Sequence, residues 1–354
     1  MIISRTPFRI SFFGGGTDYP PWYLKNSGSV LSATIDKYCY ITLRYLPPFF
    51  EHRIRIVYSK IELCQKYDEI QHPAVRETLR FLNLDRGLEI HYDGDLPARS
   101  GMGSSSSFTV GLLNALYAKQ GIMASKKQLA LESIHIEQNM IKETVGSQDQ
   151  VATAFGGINH IVFHKSGTFK VHPMILSRER VRELNAHLML FYTGIKRTAS
   201  NVADSYVNDI QKKEKLLNKM SEMVEKGIRI LQNDNICEFG QLLHEAWMAK
   251  RSLSSKVSNN IVDGLYQRAL NFGALGGKIT GAGGGGFLLL FVPPSKRHHV
   301  REALSELLHV PFRFEFQGSH INFYDPPAQD YSDVEKDQAG RFLCASRELN
   351  TIVS

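Results

Sequence analysis

Phe8, Ile10 and Phe12 alternate with Arg9 and Ser11, the period-two pattern of a strand with one buried face. Gly14-Gly15-Gly16 breaks it with a turn. The β-branched and aromatic runs at 35–45 and 54–58 predict two more strands. Residues 73–83 have helical spacing, and 88–92 read as a short strand entering the turn Asp93-Gly94-Asp95. An apolar helix follows at 108–119 and a second helix at 126–142. Beyond Gly156-Gly157 the pattern predicts a strand at 158–163, a domain seam near 165–175 and a strand at 188–192. Helices are expected at 199–232, 238–250 and near 296–308, and strands at 287–292 and near 311–324. Strands and helices mix in both halves, so the fold class is α+β, with no internal repeat.

Composition narrows the picture. At 354 residues the chain should hold about two domains, long enough to bury a core without disulfides or metal. With 43% hydrophobic and 22% charged residues it is not a disordered chain. The net charge of +7 suits an anionic small substrate. The basic pairs Lys126-Lys127, Lys212-Lys213 and Lys296-Arg297 are scattered, unlike the single basic face of a nucleic-acid binder. Cys39, Cys64, Cys237 and Cys344 form no CxxC pair, so neither a zinc site nor a disulfide framework is expected. The first residues do not form a signal peptide, and the apolar run at 287–292 is too short to span a bilayer. The expectation is a soluble cytoplasmic protein without nucleic-acid or membrane partners.

Candidate chemistry lies in three glycine-rich segments. Pro97-Ala98-Arg99-Ser100-Gly101-Met102-Gly103-Ser104-Ser105-Ser106-Ser107 stands between a strand and an apolar helix. Glycines let the backbone approach a ligand closely, and free N–H groups at a helix start make an anion site. Serine hydroxyls there can also reach a metal ion. Gly14 to Tyr19 offers Thr17 and Asp18 to a polyol, or is an ordinary turn capped by Asp18. Gly281, Gly283 and Gly286 match GxGxxG, but a strand follows instead of the helix that a dinucleotide fold requires. A tight backbone crossing or a loop over a ligand fits that segment better.

Two acidic residues remain open on local pattern. Glu137 shares a helix face with Ala130, Ile134 and Ile141. It is either a paired or cation-bound carboxylate on an apolar stripe or the exposed edge of that stripe. Asp149 follows Ser147, which has capping-box spacing to Gln150. A bland place in a helix's first turn therefore suffices for it. Arg9 by itself reads as a solvated arginine. A Walker loop, the protein-kinase HRD and DFG, a hydrolase GxSxG, a zincin helix and the PCxxC half of a zinc deaminase are all missing.

Together the segments resemble the GHMP family of small-molecule kinases. Pro7-Phe8-Arg9-Ile10 through Asp18, Pro97 to Ser107 and Lys278 to Phe287 look like its three motifs, in order. Met102 stands where a leucine is usual, and Ser106 and Ser107 where alanines are. Gly14-Gly15-Gly16-Thr17-Asp18 replaces the galactokinase GEHTD. This form, the serine-rich loop and Tyr192-Thr193-Gly194-Ile195-Lys196-Arg197 look most like the heptose kinase branch. That branch phosphorylates the anomeric hydroxyl of D-glycero-D-manno-heptose 7-phosphate to the 1,7-bisphosphate, for nucleotide-heptose and surface polysaccharide synthesis. Fucokinase- and galactokinase-like activities are the neighbouring readings.

The resemblance implies an N-terminal βαβ-rich domain at 1–170, a C-terminal ferredoxin-like domain at 171–327 and a tail at 328–354. It implies ATP and Mg²⁺ and a sugar phosphate substrate; a homodimer is compatible with the sequence, which does not fix the oligomeric state. Asp149 takes the role of base or electrostatic partner, and Arg9 steadies the reacting groups. Pro97, Arg99, Gly101, Met102, Gly103, Ser104, Ser105 and Ser106 hold the nucleotide. Ser105 (or Ser104) and Glu137 hold the metal. Gly16, Thr17, Asp18, Gly283 and Gly284 face the sugar, with Lys196 and Arg197, alongside Arg99, at its phosphate.

Overall fold

The computed structural model describes residues 1–84, 87–195, 199–233 and 235–326. In chain order the strands begin with β1 (Ile2–Phe13), β2 (Gly28–Tyr45), β3 (Ile54–Val57), β4 (Ile61–Cys64) and β5 (Leu88–Gly94). Next come β6 (Ile158–Phe163), β7 (Phe169–Pro173), β8 (Leu188–Tyr192), β9 (Gly276–Ile279) and β10 (Phe287–Phe291). The last are β11 (Leu308–His309), β12 (Phe314–Glu315) and β13 (His320–Tyr324). The helices are α1 (Pro20–Asn26), α2 (Pro73–Phe81), α3 (Ser104–Lys119), α4 (Lys126–His135), α5 (Gln148–Phe155) and α6 (Arg178–His187). They continue with α7 (Ala199–Val207), α8 (Glu214–Asn233), α9 (Ile236–Arg251), α10 (Asn260–Asn271) and α11 (Arg297–Ala303).

Among the described residues nine strands form one sheet, built on the long β1–β2 pair. Its one parallel pairing, β3 with β5, spans the crossover through α2. Four strands form a second, antiparallel sheet in the order β11-β8-β10-β9. Counted along the chain, that is 4-1-3-2, the order of a ferredoxin-like unit. The two-domain α+β architecture expected from the sequence is therefore present.

The alternation in β1 predicts one wet face. Instead every residue from Thr6 to Phe13 is buried, because α3 packs on this strand and so do α8 and α9. The helix α3 is buried on all sides from Ser106 to Ala118, as a helix between two layers must be. Ring contacts join the layers: Phe239 on α9 lies edge-on to Phe12 (5.3 Å) and Phe13 (4.9 Å) and also meets Phe291 of β10. Such aromatic pairs contribute roughly 0.5–1.5 kcal/mol each beyond their burial.

Several expectations shift. The segment near 165–175 is the β6–β7 hairpin, paired from Asn159–Pro173 to Phe163–Phe169, and not a seam. The division at 170/171 is crossed by the chain's return, since β12 pairs with β2 and β13 with β1. The single helix expected at 199–232 is α7, a short tight turn at Ile210–Lys213 and α8. The second helix stops at His135 and continues as one π turn, in which Ile141 N–H donates to Ile136 C=O. The helices α6 and α10 add to the sequence reading. Cys39, Cys64 and Cys237 are free thiols; Cys344 and the tail lie outside the described residues. No helix among the described residues is long and apolar enough to cross a membrane.

Candidate active site

A cleft opens where the N-terminus of α3 meets β1, the loop before α5 and the ends of α9 and β9. Its floor is the start of α3. Gly101 and Gly103 sit in the left-handed region, at φ 83° and 75°, where glycine carries no Cβ penalty. Ser107 N–H makes the first helical bond, to Gly103 C=O at 2.8 Å. The N–H groups of Ser104, Ser105 and Ser106, which line the cleft, therefore lack helical partners. With the helix dipole they make an anion cradle.

Arg9 and Asp149 meet directly above that cradle, 140 residues apart in sequence. Arg9 Nε donates to Asp149 Oδ1 at 2.6 Å and Nη2 to Oδ2 at 2.5 Å. Its Nη1 donates to Gly101 C=O at 2.7 Å. A Cβ on Gly103 would lie 3.1 Å from Arg9 Cγ and 3.5 Å from Asp149 Oδ2, so the loop rests on this pair. Arg9 is 3% exposed and Asp149 25%. The guanidinium is thus a buried clamp, and the carboxylate is the partner that faces the cleft. Arg9 is not the solvated residue that its strand position suggested.

Asp18 also lines the cleft, almost fully buried. Its Oδ1 accepts from Gly16 N–H at 2.9 Å and its Oδ2 from Gln148 N–H at 3.4 Å. Burial pushes its pKa up, and the Asp149 carboxylate adds to the rise.

Glu137 is fully buried behind the cleft wall. Ser106 Oγ donates to its Oε2 at 2.9 Å and Gln150 Nε2 at 2.5 Å, while Oε1 has no hydrogen-bond partner. Burial pushes its pKa up to about 7. Ser105 is exposed, and no bond joins it to Glu137; the serine beside Glu137 is Ser106, which also lines the cleft. An orphaned carboxylate oxygen beside a hydroxyl is a hard-oxygen donor set that suits a magnesium-like ion. No group of three or more His, Cys, Asp or Glu side chains among the described residues is placed to hold a metal ion by itself. Such an ion would therefore depend on a ligand's phosphates for the rest of its shell.

Not every expected residue faces the cleft. Pro97 is exposed outside it. Met102 is buried, and its C=O accepts from Arg9 N–H at 3.0 Å. Thr17 Oγ1 donates to Gly14 and Ser29 carbonyls and accepts from Ser29 N–H, so it pins the turn. Gly283 and Gly284 pack against Val257, whose C=O accepts from Gly284 N–H at 2.7 Å. Their neighbours Gly281 and Ala282 line the cleft instead. Gly286 is a tight backbone crossing, since a Cβ there would lie 2.1 Å from Ser100 O. The capping box is not formed: Ser147 Oγ bonds Tyr23 Oη and Gln138 Nε2, and Gln150 turns to Glu137. Arg99 and Gly16 do line the cleft. Lys196 and Arg197 lie outside the described residues.

Sequence reasoning missed several residues in and behind the cleft. Lys250, at the end of α9, donates from Nζ to Gly281 C=O; a lysine in a helix's last turn is so ordinary that it carries no signal. Lys278 lies buried near it and donates to Phe12 C=O at 3.0 Å. Burial holds its pKa well below the usual lysine range, helped by the charges of Lys250 and Arg9. Glu143 faces Arg99, and burial raises its pKa against the pull of that charge. Tyr19 and Tyr206 share a hydroxyl contact at 3.3 Å and both line the cleft.

Comparison with known proteins gives the family. The family described as GHMP kinases N terminal domain matches residues 69–157, and GHMP kinases C terminal matches residues 228–310. The chain is 30% identical to a D-glycero-alpha-D-manno-heptose 7-phosphate kinase of Campylobacter jejuni, over 86% of this chain and 93% of that one. It is 25% identical to an L-fucokinase/L-fucose-1-P guanylyltransferase of Bacteroides fragilis, over 80% of this chain and 34% of that one. Among solved structures it resembles a D-glycero-D-manno-heptose 1-phosphate kinase from Bacteroides thetaiotaomicron. The TM-score is 0.75 at 25% identity, with 92% of this chain and 100% of that one covered.

Proposed function

The chain belongs to the GHMP kinase family and is an ATP-dependent phosphotransferase acting on a sugar, and from that premise we propose that its substrate is D-glycero-D-manno-heptose 7-phosphate, phosphorylated on the anomeric hydroxyl. The observation that carries the chemistry is the Arg9–Asp149 pair set directly over the α3 cradle. The heptose assignment is supported by the Campylobacter relative, matched along almost its whole length.

The geometry supports one role for each residue in this reading. The free N–H groups at the start of α3 bind the β- and γ-phosphates. Ser106 and Glu137 hold Mg²⁺, which supplies charge neutralisation at those phosphates when bound. Asp149 faces the accepting hydroxyl. Phosphoryl transfer demands positioning and charge stabilisation more than a strong base. An anomeric hydroxyl is also more acidic than an ordinary alcohol, so a carboxylate held in place by a bidentate guanidinium suffices. Arg9 fixes the orientation of Asp149 and, through Gly101, ties it to the phosphate loop. Lys250 and Arg99 are the other cations that line the cleft, and they are the described candidates for the sugar's own phosphate.

The test is a panel of heptose 7-phosphate, mannose, fucose, galactose and mevalonate with Mg²⁺-ATP, followed by ADP release and phosphorus NMR. A new anomeric phosphate with heptose 7-phosphate alone is expected. Faster turnover of a free sugar would sink the heptose assignment. In the same assay Asp149→Asn should lose about 10²–10⁴-fold in kcat with ATP affinity nearly unchanged; near-normal turnover would remove Asp149 from this role.

A further inference from the structure

Two buried polar side chains in the cleft are not used by the protein. Ser11 is 4% exposed and Gln148 8%, and both line the cleft. Neither Ser11 Oγ nor Gln148 Oε1 has a hydrogen-bond partner. Buried polar groups are nearly always paired, so two such orphans in one cleft point to a ligand that pairs them.

Gly15 brings them to one spot. A Cβ built on Gly15 would lie 3.6 Å from Ser11 Oγ and 3.7 Å from Gln148 Nε2, with nothing closer. Gly14 and Gly16 have φ of 80° and 116° and are glycines for backbone reasons, but Gly15 is outside the left-handed region. Its backbone would accept alanine. What its missing side chain leaves is room between a hydroxyl and an amide.

The position of this pair relative to Arg9–Asp149 gives it meaning. Ser11 stands two residues beyond Arg9 on the same face of β1, about 7 Å along the strand. Gln148 directly precedes Asp149 at the start of α5. The orphaned pair therefore repeats the Arg9–Asp149 pair one pace along the cleft, beside Asp18. A substrate with one hydroxyl at Asp149 and more hydroxyls on neighbouring carbons would satisfy it. A hydroxyl both donates and accepts, so it can pair Ser11 and Gln148 whichever way the amide is turned.

We infer that Ser11, Gln148 and the space over Gly15 form a hydroxyl-reading subsite that selects a polyol ring over a deoxygenated one. This rests on the reading of Asp149 as the residue at the accepting hydroxyl. Selection arises because a substrate lacking the hydroxyl leaves buried polar groups unpaired.

The experiment takes whichever panel sugar the enzyme phosphorylates best, together with its monodeoxy analogues. It measures kcat/KM in the parent, Ser11→Ala and Gly15→Ala. The parent should lose about tenfold or more on one analogue, and in Ser11→Ala that ratio should shrink to about threefold or less. Gly15→Ala, which the backbone tolerates, should raise the sugar KM about tenfold with nucleotide affinity unchanged. An unchanged ratio in Ser11→Ala, or an unchanged sugar KM in Gly15→Ala, would overturn the subsite. A different best sugar would sink the heptose assignment and leave this test intact.

Discussion

Glu137 carries the clearest pH signature at the scale of single residues. Its carboxyl titrates near 7 in the fold against 4.5 for a free one, chiefly through burial. Between those values the folded chain keeps a proton that the unfolded chain has released. Stability therefore falls as pH rises through that window, by roughly 3 kcal/mol in all. Glu137→Gln should remove this slope, so unfolding by denaturant without divalent cations should give a flatter profile from pH 5 to 7. Identical slopes in parent and variant would mean that Glu137 is not held protonated. Its place on an apolar stripe was legible in the sequence. Whether it was the stripe's wet edge or a buried acid was not, because its partners Ser106 on α3 and Gln150 on α5 come from elsewhere in the chain. The same holds for Arg9 and Asp149, each of which has an ordinary local role until the other faces it.

At the scale of elements, the serine run shows what a pattern leaves open. Four identical residues precede the body of α3, and each step along a helix turns the side chain by about 100°. An amphipathic helix would set the phase by its apolar stripe, but α3 is buried all round and has none. Packing alone turns Ser106 toward Glu137 and leaves Ser105 exposed. Ser106→Ala should therefore raise the Mg²⁺ concentration for half-maximal activity about tenfold, the scale of a lost charge-assisted hydroxyl contact. Ser105→Ala should leave it within about twofold. The reverse order in a magnesium titration would restore Ser105 to the metal. By contrast, α10 was readable: Asn259 caps it, and Val262, Leu265, Tyr266 and Ala269 keep helical spacing. For α6 the signal is weak, with only Leu184 and His187 buried.

At the scale of the whole molecule, the two halves do not separate where the chain suggests. The last described strands pair with β1 and β2, and Glu315 on β12 accepts from Thr34 and from the N–H groups of Gln317 and Gly318. A fragment ending at 170 would expose the β1 edge and the Phe12–Phe13 face, an aggregation hazard. Expressed alone it should be insoluble or lack dispersed amide resonances; a soluble, well-dispersed spectrum would show that the first sheet stands without its returning strands. The sequence by itself determined the α+β class, the strand and helix periods, the glycine loop ahead of an apolar helix and the order of the three motifs, since each is written in neighbouring residues. Tertiary structure decided which serine meets Glu137, that Gly283 and Gly284 serve packing, and that Ser11, Gln148 and Lys250 line the cleft. Those outcomes depend on which distant surfaces meet, and residues 140 apart carry no local period that could announce their contact.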